Sequence, residues 1–120
     1  MPRSSFSFPG ARRLTRASEF DRVRREGRAC RGRALLLSVL TQAESGGFRA
    51  GFITSRTIGS AVTRNRVRRR LREIVRHHQH EILTNAWIVT VARAAAADAT
   101  YQELEDEWLR LAKRASILAA

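Results

Sequence analysis

Residues 61–76 read AVTRNRVRRRLREIVR, and their pattern predicts the long helix on which the fold depends. Apolar residues recur at helical spacing and, at ~100° per residue, share one face. They are Val67, Leu71, Ile74 and Val75. We therefore predict a helix from about residue 61 to about residue 78, with Ser60 as its N-cap and this face packed on the rest of the domain.

The other faces of this helix carry seven arginines among the sixteen residues, and Glu73 is the only acid that offsets them. Like charges four residues apart destabilise an isolated helix by about 0.2–0.5 kcal/mol each. Solvated faces usually mix both signs, so a face of this kind needs a polyanion to neutralise it. Nucleic acid is the obvious candidate.

The composition of the whole chain agrees with a basic nucleic-acid-binding domain. Its 120 residues suffice for one domain with its own core. The formal net charge is +12, and every basic residue except Lys113 is arginine, whose planar fork of donors matches phosphate. Genome base composition is an equally open reason for the preference of arginine over lysine.

The single cysteine, Cys30, allows neither an intrachain disulfide nor a cysteine-based zinc site, which fits a reducing compartment. No apolar run approaches the ~18 residues of a membrane span, and the N-terminus lacks the apolar segment of a secretion signal. We therefore expect a cytoplasmic protein that makes no membrane contact.

Patterns on either side of the long helix predict the other elements. A helix is expected between Thr15 and Gly27. Apolar runs at 33–41 and 48–55 flank a turn at 44–47 and predict an antiparallel hairpin. In the second of these strands a glycine, Gly51, indicates a bulge or a close approach by another group.

A further strand is expected at 86–93, and a capping box of Thr100 and Glu103 begins a last helix. The predicted class is α+β, a small mostly antiparallel sheet packed with helices in the order α-β-β-α-β-α, with room for one short strand more. Residues 1–13 hold both prolines and no periodicity, so we expect a flexible basic arm there and a single domain at 14–118.

The residues from Ala61 to Glu73, with Arg64-Asn65-Arg66 at their centre, resemble the signature of the bacterial ribonuclease P protein subunit. The strand and connector before them are similar to those of that family at 49–52, 55–56 and 58–59. Leu14, Glu19-Phe20, Val23 and Gly27 resemble its first helix. The resemblance covers about residues 12–115.

The resemblance implies a fold with a left-handed crossover through the arginine-rich helix, where general rules favour a right-handed one. It implies a subunit that assists a catalytic RNA, which holds Mg²⁺ and removes the 5′ leader of precursor tRNA, and that broadens the range of substrates. The chain itself would supply no catalytic residue and no metal ligand and would require no protein partner.

The resemblance also implies residue roles. Contacts to the catalytic RNA fall on Arg56, Arg64, Asn65, Arg66, Arg68, Arg69 and Arg72. Contacts to the leader fall in a cleft between the first helix and the sheet, on Phe20, Arg24 and Arg33. This chain departs from the family pattern at Arg24, Ala34 and Leu37, where the family often has aromatic residues, and at Thr57, where it usually has lysine.

Three alternatives remain open from the residues alone. A ribosomal or chaperone-type RNA-binding protein would share the charge and the fold class. A protein-only hydrolase would need the one cluster able to bind a metal or move a proton, His77, His78, His80 and Glu81. A helix-turn-helix DNA-binding protein would place the arginine-rich helix in a major groove, but here the helix is predicted to follow a strand.

Overall fold

The computed structural model describes residues 13–42, 47–83 and 85–118. The helices are α1 (Ala17–Glu26), α2 (Ala61–His77) and α3 (Tyr101–Arg114). The strands are β1 (Arg28–Arg31), β2 (Leu35–Thr41), β3 (Arg49–Thr54) and β4 (Ala86–Ala92). The predicted helices and the α+β class are confirmed, and β1 is the additional short strand. None of the helices in the described ranges has the length and apolar character needed to cross a bilayer.

The four strands form one sheet in the order β1-β2-β4-β3, in which β3 and β4 run parallel and the other pairs antiparallel. The predicted hairpin of 33–41 with 48–55 is therefore wrong, because β4 lies between these strands. The reason is burial: Ile88, Val89 and Thr90 are buried in succession, so β4 needs cover on both faces and a neighbour on each side.

Each face of the sheet has its own core. The larger core lies between the sheet, α2 and α3, and it includes Trp108 and all four apolar residues predicted for the inner face of α2. The smaller core lies beneath α1 and centres on Leu14, Val23 and Val89. The sheet thus positions α1 on one side and the arginine-rich α2 on the other.

A buried carboxylate joins α3 to the turn between β1 and β2. Glu107, 7% exposed, accepts hydrogen bonds through Oε2 from the backbone N–H groups of Ala34 (2.8 Å) and Leu35 (2.7 Å). A Cβ on Gly32 would lie 2.3 Å from the same oxygen, so the turn needs glycine there.

We expect Glu107→Leu to destabilise the fold by about 2–4 kcal/mol, because two buried N–H groups lose their acceptor. Glu107→Gln keeps an oxygen in place and should cost less. Urea unfolding of both variants measures the difference. Equal losses would show that the negative charge of Glu107, rather than its role as an acceptor, stabilises the turn.

Candidate nucleic-acid interface

Six of the seven arginines of α2 divide into three groups around the helix, and the seventh, Arg76, pairs with Glu73. With the apolar face inward, Asn65 and Arg69 lie on the outward crest and are exposed. Arg64, Arg68 and Arg72 follow one flank, beside β3. Arg66 and Arg70 follow the other flank, beside the segment that leads into α3. The helix begins where Ser60 Oγ accepts from the Thr63 N–H, as predicted.

The flank towards α3 is partly used for packing. Arg66 Nη2 donates to the Ala97 carbonyl (3.2 Å), and Arg70 Nη1 donates to the Ala99 carbonyl (3.0 Å). Both contacts fasten α2 to the segment before α3. Arg66 therefore has a structural contact in addition to any that its place in the signature implies.

The N-terminal end of α2 meets the end of β3. Arg68 donates to Asn65 Oδ1 (3.1 Å) and to Thr54 Oγ1 (2.5 Å), and Arg64 Nη1 donates to the Gly59 carbonyl (3.0 Å). Arg56 lies in the short 3₁₀ turn that precedes the helix and is exposed. These contacts hold the Arg64 and Arg68 side chains beside Asn65, so this part of the cationic surface is preorganised.

Three arginines surround a pocket of about 120 Å³ between α1, β3 and α2. Its lining is Arg13, Leu14, Phe20, Ala50, Gly51, Phe52, Arg68 and Arg72. Burial, together with the guanidinium groups of Arg13 and Arg68, lowers the pKa of Arg72. The pocket holds several times the ~30 Å³ share of one water molecule, and its charge suits an anion such as phosphate.

We expect inorganic phosphate to stabilise the protein, because a bound anion relieves the repulsion among Arg13, Arg68 and Arg72. At a concentration 100-fold above its Kd the gain would be about 2.7 kcal/mol. Thermal unfolding in phosphate and in sodium chloride of equal ionic strength measures this, and Arg72→Gln should remove most of the difference. An equal rise in both salts would indicate screening and no site.

Arg13 is a member of this pocket that sequence reasoning missed. The residue was placed at the end of a flexible arm, whereas it forms a bridge with Ala50 of β3, and its carbonyl accepts from Arg49 Nη2 (2.9 Å). Its role depends on tertiary contacts and left no periodic signal. The rest of the predicted arm, with Phe6 and Phe8, lies outside the described residues.

Phe20 sits over the glycine of β3, as the close-approach interpretation of Gly51 predicts. A Cβ on Gly51 would lie 2.4 Å from Phe20 Cζ and 3.2 Å from the Leu14 Cβ. The ring therefore packs directly on the β3 backbone while remaining half-exposed. An aromatic face held in this way can stack on a base.

The two flanks of α1 differ in charge pairing. Beside Trp87, Arg49 Nη1 pairs with Glu19 Oε2 (2.9 Å) and Arg22 Nε with Glu26 Oε1 (3.4 Å). Both guanidinium groups also lie against the Trp87 ring, 5.3 and 5.8 Å from its centroid. Phe20 and the exposed Arg24 lie on the opposite flank. Among the described residues Arg24 makes no ion pair, so this flank offers a guanidinium charge beside the Phe20 ring.

Arg33 does not lie in the groove between the Phe20 flank of α1 and the sheet. It lies in the turn before β2 and lines a pocket of about 160 Å³ with acidic side chains from the α3 side: Asp98, Glu103 and Glu107. Arg31, which sequence reasoning did not single out, is paired with Leu36 and so projects on the α1 side of the sheet. The strand begins at Leu35, and the turn carries Arg33 to the other side.

In the histidine cluster considered for a hydrolase, His78 makes contacts that stabilise the fold. His78 contacts Glu81 through Nδ1 (2.6 Å) and Glu105 through Nε2 (2.9 Å), which ties the end of α2 to α3. Burial alone would lower the pKa of His78, but the two carboxylates outweigh it and raise the pKa. Among the described residues, no three of the types His, Cys, Asp and Glu are grouped to hold a metal ion.

Both the sequence and the fold are similar to those of known proteins. The family model described as Ribonuclease P matches residues 8–116. The ribonuclease P protein component of Acidothermus cellulolyticus is 42% identical over 107 residues, covering 88% of this chain and 89% of that protein. For the component of Halalkalibacterium halodurans the identity is 37% over 106 residues, with 88% and 89% covered. The solved RNase P protein of Staphylococcus aureus superposes with a TM-score of 0.84 at 28% identity, covering 90% of this chain and 98% of that one.

Proposed function

The chain belongs to the ribonuclease P protein family, and from this premise we propose how its two surfaces serve the enzyme. Its function is that of the protein subunit of a ribonucleoprotein endoribonuclease, in which the RNA carries the chemistry and the 5′ end of tRNA is matured. Its partners are the catalytic RNA and precursor tRNA. The relatives favour this function over that of a ribosomal or chaperone-type RNA-binding protein.

The N-terminal half of α2 binds the catalytic RNA. The observation that carries this proposal is the exposed group of Arg56, Asn65 and Arg69 beside the half-buried Arg64 and Arg68. The guanidinium groups of Arg64 and Arg68, already held by hydrogen bonds, bind phosphate with little loss of side-chain freedom. Arg72 faces the pocket shared with Arg13 and holds a phosphate there, and Arg66 divides its donors between RNA and the Ala97 carbonyl.

The groove on the Phe20 flank of α1 binds the 5′ leader. Phe20 supplies a stacking surface, and Arg24 supplies charge on the same flank. Because Phe20 is the one aromatic residue of α1 itself, leader binding depends on charge more than on stacking. The position of Arg33 among acidic side chains leaves it a smaller part in leader binding than the resemblance implies.

Mg²⁺ belongs to the RNA. The surfaces proposed to face RNA are rich in arginine, which repels cations, so this chain favours divalent ions only indirectly by holding the catalytic RNA in its active fold. We also propose a cytoplasmic location, which the single cysteine of the sequence suits because it fits a reducing compartment. By holding the leader, the protein lets precursors with weaker contacts to the RNA still bind, which broadens the substrate range.

Reconstitution tests the function directly. The chain, added to a bacterial ribonuclease P RNA at low Mg²⁺, should restore removal of the 5′ leader from precursor tRNA, and the chain alone should not cleave. Cleavage without RNA would support the hydrolase alternative. Failure to stimulate any ribonuclease P RNA, with tight binding to ribosomal RNA instead, would support the ribosomal one.

A further inference from the structure

Beside the Phe20 flank of α1, a row of paired strand residues crosses the whole sheet to the edge strand β1. Four paired residues form one row across it, from β3 to β1: Ile53, Val91, Leu36 and Arg31. The first three are half-buried and Arg31 is exposed. Directly paired residues project on the same face, so the row ends in a guanidinium group on the α1 side.

Charge pairing distinguishes this row from the row on the other side of α1, which contains Trp87. On the Trp87 side, Arg22 and Arg49 are paired with Glu26 and Glu19. Within the part of the chain that the structure describes, Arg24 and Arg31 make no ion pair, and the row holds no acid. The Phe20 side therefore forms an apolar floor with unneutralised arginines, which complements the bases and phosphates of a single strand.

We propose that the 5′ leader crosses the sheet along this row and that Arg31 binds a leader phosphate upstream of the nucleotides at Phe20. This inference rests on the leader groove proposed above. Helix α2, which holds the catalytic RNA, packs on β3, so the nucleotides nearest the cleavage point lie at the β3 edge. Three strand spacings of ~4.8 Å separate β3 from β1, or about 14 Å, so only longer leaders reach Arg31.

The contribution of Arg31 to the affinity for the leader follows from the release of one counterion when it binds a phosphate. For a single strand each contact adds about 0.7 to the slope of log K against log salt, which corresponds to about fivefold in affinity near 0.1 M salt. Since Arg31 is exposed and lies on an edge strand, Arg31→Gln should fold normally. Arg31→Lys keeps the charge and should keep most of the effect.

The test measures binding of precursor tRNAs with short, intermediate and long leaders, and of mature tRNA, to the reconstituted holoenzyme at several salt concentrations. Arg31→Gln should weaken binding about fivefold and lower the salt slope by about 0.7 for long leaders alone. Arg22→Gln, on the paired flank, is the matched control and should bind like the wild type.

Two results would overturn the path. An equal loss for mature tRNA would place the phosphate on the catalytic RNA or the tRNA body, and no loss with any leader would leave Arg31 without a ligand. Phe20→Leu separates this failure from that of the groove itself. If Phe20→Leu leaves the preference for precursor intact, the groove is wrong; if it reduces the preference while Arg31→Gln does nothing, only the path is wrong.

Discussion

Replacing Arg56, Arg64 and Arg69 together by glutamine should weaken binding of the catalytic RNA by roughly 100- to 500-fold near 0.1 M salt. The three side chains lie around Asn65 at the start of α2, and each is expected to neutralise one phosphate. Each lost contact lowers the slope of log K against log salt by about 0.7–0.9, so the triple variant should lose about 2–3. Filter binding or fluorescence titration at several salt concentrations measures both quantities.

The control for this variant removes the same charge elsewhere. Arg110, Lys113 and Arg114 are exposed on α3, away from α2's arginine crest, and their replacement by glutamine also takes the net charge from +12 to +9. We expect this variant to bind nearly as the wild type does. If both variants lose the same affinity, net charge alone governs binding and the proposed surface on α2 is wrong.

Arg66 is left out of the triple variant because it also has a structural contact, the hydrogen bond to the Ala97 carbonyl. Periodicity predicted the inner face of α2 correctly, since burial of Val67, Leu71, Ile74 and Val75 follows from helical geometry alone. The pattern could not distinguish the two arginine flanks, because Arg66 and Arg70 contact carbonyls about thirty residues further along the chain. Assigning those contacts required the tertiary fold.

The order of the strands in the sheet likewise could not be predicted from local sequence pattern. Strands β2, β3 and β4 were each predicted from their own apolar run. Pairing, however, depends on which strand is buried on both faces, and the buried β4 lies between β2 and β3, which a hairpin would have paired directly. The roles of Arg31 and Arg33 follow from that pairing. A shift of one residue between turn and strand decides which side of the sheet a side chain faces, and the sequence alone does not fix it.

The second large effect concerns Phe20. We expect Phe20→Leu to weaken binding of precursor tRNA to the holoenzyme by roughly 5- to 150-fold, since one base–aromatic stack contributes about 1–3 kcal/mol. Leucine retains much of the packing against Gly51 and Leu14, so the fold should persist. Binding of mature tRNA, which has no leader, should not change, and the ratio of the two dissociation constants is the measurement.

Gly51→Ala provides an independent route to the same result. Its Cβ would lie 2.4 Å from Phe20 Cζ. The ring must therefore move away from the β3 backbone, although the aromatic residue is still present. Preference for precursor should fall as it does in Phe20→Leu, and Trp87→Leu, which removes an aromatic ring from the other flank of α1, should leave it intact. If Gly51→Ala keeps full preference, contact with the leader does not depend on where the ring is held, and the groove cannot be a preorganised stacking site.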